Sequence, residues 1–264
     1  MRTNDVVKFS PIGTAVLALA SLISAAGFLW PFFYNGQSLP RTQLFFWAAL
    51  SVAFILVIVQ ISNSALDAKS VALLGVLSAL IAALRPLGAG AVGIEPMWFI
   101  LILSARVFGP SFGFILGLTS MFVSALLTGG VGPWLGYQVF AAAWIGLGVA
   151  LIPRTLRGRR EIVALIIYGI FAAQFFGIAM DLQFWPWALG TQTQLSYQAG
   201  DALLENLQRF IAFHFLSSMA WDIPRAILTS ILLALTAPAV LSALRRTKVK
   251  AAFLTPIEFT ERLK

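Results

Sequence analysis

Residues 109–113 read GPSFG, which fits the GxSxG pattern of a serine nucleophile, and His214 is the one histidine in the chain. A serine protease using Ser111 and His214 is therefore the first chemistry to weigh. Other reactive chemistries are thinner. Cysteine is absent, which removes disulfide frameworks, thiolate metal sites and cysteine nucleophiles together, and a single histidine is a poor start for a metal site. No GxxxxGK[ST] phosphate loop occurs, so ATP would have to be hydrolysed elsewhere.

Binding chemistry is better represented. The uncharged stretch TGGVGPW, residues 128–134, places Gly129, Gly130 and Gly132 beside Trp134. Glycine accepts positive φ and lets backbone approach a ligand, while proline and tryptophan fix an edge and an aromatic face. The plainer reading is a tight turn with an interfacial tryptophan. Residues 85–96, RPLGAGAVGIEP, have a similar character. The stretch from Asp181 to Phe215 brings Gln183, Gln192, Gln194 and Gln198 together with Trp185, Trp187 and Tyr197. That mixture suits a large ligand with amide edges and apolar faces, and also an ordinary interfacial loop. Asp222 and Arg225 lie three apart, a spacing at which they can simply pair on one helix face.

The elements that position these residues must cross a membrane. Of 264 residues 59% are hydrophobic and 11% charged, more apolar surface than one soluble core can hide. Apolar runs near 11–33, 43–62, 70–85, 96–108, 111–128, 134–153, 162–181 and 216–242 predict an all-α polytopic protein of eight spans. The third and fourth runs are short, with glycine or proline at their ends, and could be kinked or re-entrant. With both termini cytoplasmic, only Arg41, Arg85, Arg209 and Arg225 of the 18 basic residues fall outside, as positive-inside sorting requires. The net charge of +8 thus reports topology before nucleic acid; contact with anionic lipid is a secondary reading. This orientation puts the three unusual loops on the outer face. It also puts Ser111 inside and His214 outside, too far apart to pass a proton. Paired intramembrane charges and inverted repeats of a self-sufficient secondary transporter are not found. On the third run Gly75, Ala79 and Ala83 recur every four residues beside Ser78 and Ala82, a smooth stripe suited to close helix approach, either within the protein or against a partner.

Residues 68–245 resemble the substrate-binding S component of an energy-coupling factor (ECF) transporter, the vitamin-uptake branch of the ABC transporters. The resemblance is carried by ALLGVLSALIAALRP, by GAGAVGIEPMWF, by RVFGPSFGFILGLTSMFVSALLTGGVGPWLGYQVFAAAWIGLG and by the inner arginine cluster. It implies a six-helix membrane core at 68–245, a two-span extension at 1–67 and a cytoplasmic tail at 246–264, in a multi-pass protein of the bacterial plasma membrane. It implies no enzyme and no cofactor, but a vitamin bound from outside under the loops 85–95, 129–133 and 182–215. The candidate ligand-binding residues are Arg85, Glu95, Trp98, Thr128, Gly129, Gly130, Gly132, Trp134, Gln138, Asp181, Gln183 and Trp185. The stripe Gly75, Ala79 and Ala83 would meet a transmembrane coupling (T) subunit carrying two cytoplasmic ATPases, although glycine departs from the family's AxxxA at the first place. The RVFGPSFGF to LLTGGVGPW block is similar to actinobacterial S components associated with cobalamin, which ranks cobalamin first, with a thiamine precursor or riboflavin as alternatives. Trp30, in the extension, is expected to take no part in binding.

Overall fold

Helix starts follow local capping chemistry. Ser10 Oγ accepts the Gly13 N–H at 3.0 Å ahead of Pro11, and Asp67 Oδ1 accepts the Ser70 N–H at 2.8 Å; both satisfy first-turn donors. A computed structural model describes residues 5–7, 9–34, 51, 55, 67–88, 92–188 and 193–251. Within these the fold is α1 (Pro11–Leu29), α2 (Ala68–Leu84), α3 (Trp98–Phe108), α4 (Pro110–Thr128), α5 (Leu135–Gly148), α6 (Gly158–Ala188), α7 (Leu203–Ser217) and α8 (Met219–Ala251). Short 3₁₀ turns occupy Trp30–Phe32, Arg85–Gly88 and Val149–Leu151, and no strand occurs among the described residues.

Among the described residues, five helical stretches are long and apolar enough to cross a bilayer: Pro11–Phe32, Ala68–Gly88, Pro110–Thr128, Gly158–Ala188 and Met219–Ala251. Two shorter apolar helices, Trp98–Phe108 and Leu135–Leu151, match the fourth and sixth expected spans. The second expected span, 43–62, lies outside the described residues apart from 51 and 55. The third, expected to be short, reaches 21 residues through its 3₁₀ end. The fourth is short: 11 residues of α3 rise only about 17 Å. Apart from Phe99 and Arg106, α3 is buried throughout, so the helix that cannot span by itself is wrapped by those that can.

Small residues set the close crossings around it. A Cβ at Gly113 would sit 2.5 Å from the Gly146 carbonyl oxygen, and one at Gly117 would collide with that of Ala142, so α4 and α5 meet backbone to backbone. On α6, Gly177 admits the Asp222 carboxylate and Gly169 admits Thr229 and Leu233 of α8.

The basic end is tied by Glu161, which is buried and accepts Arg106 Nε at 2.7 Å and Arg245 Nη2 at 2.6 Å. Arg106 also donates to the Ile152 and Pro153 carbonyls, and Lys248 to that of Val107. Several topogenic cations therefore also hold α3, α6 and α8 together. The opposite end, the outer one by the charge bias, carries Arg85, Arg209 and Arg225.

The stretch expected as one long outer loop after Asp181 is largely helical. α6 runs on to Ala188, and α7 buries Asn206, Phe210, Phe213 and His214 along one face. That periodic apolar face, interrupted by Glu205, Asn206 and Arg209, makes α7 an amphipathic helix over the outer end.

Candidate ligand-binding site

At the outer ends of the helices, ionisable and amide side chains turn inward. Arg85, in the 3₁₀ turn that ends α2, donates from Nη2 to Gln138 Oε1 of α5 at 3.0 Å and from Nη1 to Ser124 of α4 at 3.4 Å. Glu95 Oε2 receives the Trp98 indole N–H at 2.7 Å and Arg225 Nε at 2.8 Å. Arg225 also binds Asp222 Oδ1 through Nη1 and lies 5.1 Å over the Phe176 ring. Asp181 meets His214 Nδ1 at 2.8 Å. By hydrogen bonds these groups form three sets: Arg85 with Gln138 and Ser124, Glu95 with Trp98, Arg225 and Asp222, and Asp181 with His214. Charges placed in a span cost a few kcal/mol each and are kept where they pair or face a cavity. Asp222 Oδ2 is buried and has no partner among the described residues.

The segment 92–97 is seated on α8. Gly93 has φ of 68°, and a Cβ there would run into the Trp221 carbonyl oxygen; a Cβ at Gly88 would strike that of Ile94. Glycine is required at both places, and Glu95 is thereby delivered to Arg225.

Of the expected ligand-facing residues, Arg85, Glu95, Trp98, Gln138 and Asp181 belong to these sets. The TGGVGPW loop lies at the end of α4. Gly129 caps α4 with φ of 65°, and the Gly130 N–H returns to the Ala125 carbonyl at 2.8 Å, closing a Schellman-type end. Gly130 and Gly132 do not take positive φ, so backbone freedom is required at one of the three expected glycines. Gly132 is small for another reason: a Cβ would meet the Trp134 ring at 2.5 Å. The Trp134 indole folds back to donate to the Gly130 carbonyl at 3.2 Å and stays 44% exposed. Thr128 donates to the Ser124 carbonyl. Gln183 is half-buried and Trp187 exposed; Gln192 lies outside the described residues.

Trp185, expected to face a ligand, is 1% exposed. Its indole donates to the Leu195 carbonyl at 2.6 Å, and its ring packs on Tyr197 and Phe210. It anchors the outer segment from within, because α6 extends past the expected span and turns that face inward.

Ser124, Phe176, Ser218 and the bridging role of Arg225 were not singled out by sequence. Intramembrane Asp222 and Arg225 carried a signal, being costly in a span; Ser124 and Phe176 carried none.

Ser111 begins α4 at the basic end, beside the Lys248 end of α8, whereas His214 is next to Ser218 at the other end. Those ends of α8 lie about 30 residues, hence roughly 45 Å, apart.

On α2, Gly75, Ala79 and Ala83 are exposed, together with Val76 and Leu80, and a Cβ at Gly75 would meet nothing within 4 Å. Ser78 and Ala82 face inward, Ser78 bonding Thr119 of α4 at 2.7 Å. Among the described residues the small stripe is therefore uncovered, and none of them demands glycine at 75.

A family model described as ECF-type riboflavin transporter, S component, matches residues 65–246. The chain belongs to this family. It is thus a multi-pass plasma-membrane protein and a component of a vitamin transporter rather than an enzyme. The match begins just before α2 and leaves α1 outside. No curated protein and no solved structure matches the chain.

Proposed function

We propose that this S component captures its vitamin at the outer end, among Arg85, Glu95, Gln138, Asp181 and Arg225, and delivers it to a T subunit driven by two cytoplasmic ATPases. The observation that carries this reading is the pairing of two features on one chain: part-buried charged and amide groups at the outer end, and a small-residue face on α2 that no described residue covers and that suits a sliding helix partner. ATP is hydrolysed by the partner subunits.

Riboflavin is the ligand we place first. The family description names it, and a fused ring with an imide edge offers acceptors to Arg85 and Gln138 and a flat face to Trp98 or Trp134. Cobalamin, ranked first from the sequence block alone, has no support in the family match. Titration of the purified chain with riboflavin, followed by quenching of flavin fluorescence, should saturate at one flavin per chain. A red corrinoid co-purifying with the chain, with no flavin quenching, would reinstate cobalamin and overturn riboflavin.

A further inference from the structure

The extension lies outside the family match, yet it is built into the outer end. The 3₁₀ turn Trp30–Phe32 at the end of α1 enters an aromatic cluster with the segment beyond α6. The Trp30 ring lies 5.4 Å from Tyr197 and 6.2 Å from Trp187, and the Phe32 ring lies 6.2 Å from Trp185 and 5.8 Å from Phe210. Pro31 between them is buried. Trp185 holds the Leu195 carbonyl, and Phe210 stacks on His214, the partner of Asp181. Contacts therefore run without a break from the extension to the charged cluster.

The rest of α1 is attached differently. Along its middle an apolar groove of about 610 Å³, lined by Ser21, Leu22, Ala25, Trp144, Gly148 and Phe171 among others, lies between α1 and the helices α5 and α6. α1 buries Leu17, Ala20 and Ser24 along its length, and its ends carry further contacts: Asp5 pairs with Arg154 and the Val6 N–H with the Phe108 carbonyl at one, and Phe28 packs on Tyr137 and Trp144 ahead of the Trp30 turn at the other. A helix fastened in this way presents its terminal turn at a fixed height.

We propose that the Trp30–Phe32 turn is a structural part of the outer cap: Trp30 and Phe32 are positioning residues that hold residues 193–217 over the ligand site and so govern ligand retention. This rests on the reading of the chain as a vitamin-capturing subunit. It also reverses the expectation that Trp30 is indifferent to binding.

Hydrogen exchange on the full chain in detergent, resolved over residues 193–217, tests the positioning without any ligand. Losing the ring contacts of Trp30 with Tyr197, Trp187 and Tyr34 in Trp30→Ala should speed exchange there about tenfold, with α4 and α5 unchanged and Trp30→Phe restoring protection. Riboflavin titration of the same variants should show Kd raised about tenfold in Trp30→Ala and recovered in Trp30→Phe. Ile12→Ala, on an exposed face of α1, should change neither. Phe32→Leu keeps volume while removing the ring, and gives the same comparison should Trp30→Ala not fold. Unchanged exchange over 193–217 overturns the proposal, and so does faster exchange with unchanged Kd. If the wild-type chain binds no riboflavin, the flavin reading fails separately, and the exchange result still decides whether the extension holds the cap.

Discussion

Arg225 joins three elements with one guanidinium: Glu95 from the 92–97 segment, Asp222 from its own helix and the Phe176 face of α6. Its side chain is 6% exposed, so replacing it with methionine leaves two carboxylates with no counter-charge. Removing one partner of a buried pair typically costs about 3–5 kcal/mol, and Arg225→Met should lower thermal stability accordingly in a detergent melt. Arg225→Lys should recover only part, because an ammonium cannot reach both carboxylates with a planar fork. The glycine loop gives a graded test. Gly129→Ala should lose about 1 kcal/mol from the left-handed conformation alone, since a Cβ there meets nothing within 4 Å. Gly130→Ala should be nearly silent, its Cβ facing only the movable Thr128 hydroxyl. Gly132→Ala should displace the Trp134 indole, visible as a change in tryptophan emission, with little effect on the α4 cap. Equal losses at all three positions would contradict this division.

At the scale of elements, the two small-residue patterns have opposite consequences. Gly117 of α4 lies against the Ala142 carbonyl, so Gly117→Ala should destabilise the protein by about 1–3 kcal/mol through overpacking. Ala79 and Ala83 of α2 face outward, so Ala79→Leu with Ala83→Leu should leave the melt and riboflavin binding unchanged while abolishing uptake in cells. Loss of binding together with uptake would assign that stripe to internal packing. The sequence distinguished these patterns poorly. Four-residue spacing of small side chains is visible in both, but which stripe a neighbour covers depends on crossings between segments far apart in the chain. Apolar length made the spans legible, as with α2, α4 and α8. The same criterion gave the wrong state for residues 181–215, because an amphipathic helix carrying Glu205 and Arg209, with Asn206 buried among its apolar residues, looks like a polar loop to a hydropathy window. Of the proposed ligand-facing residues, Arg85, Glu95 and Asp181 stood out in the sequence as charges near the outer ends of spans. The burial of Trp185 was not legible, because it depends on Tyr197, Phe210 and the distant Phe32.

For the molecule as a whole, the two ends differ in chemistry. Arg106, Arg154, Arg245 and Lys248 gather with Asp5 and Glu161 at one; Arg85 and Arg225 turn into the interior at the other. Charge bias makes the first end cytoplasmic, and the site is reachable by an external vitamin only if that orientation holds. The chain has no cysteine, so single cysteines report cleanly. Gly158 and Thr247 are exposed at the basic end and Thr193 at the opposite one. In intact cells, a membrane-impermeant maleimide should label Thr193→Cys and spare Gly158→Cys and Thr247→Cys, and all three should react once the membrane is opened. Gly158 has φ of 60°, so Gly158→Cys carries about 1 kcal/mol of backbone strain, and Thr247→Cys on the regular part of α8 provides the unstrained control. Labelling of Thr247→Cys from outside would invert the protein and put the charged cluster on the cytoplasmic side, where it could not receive a ligand from the medium.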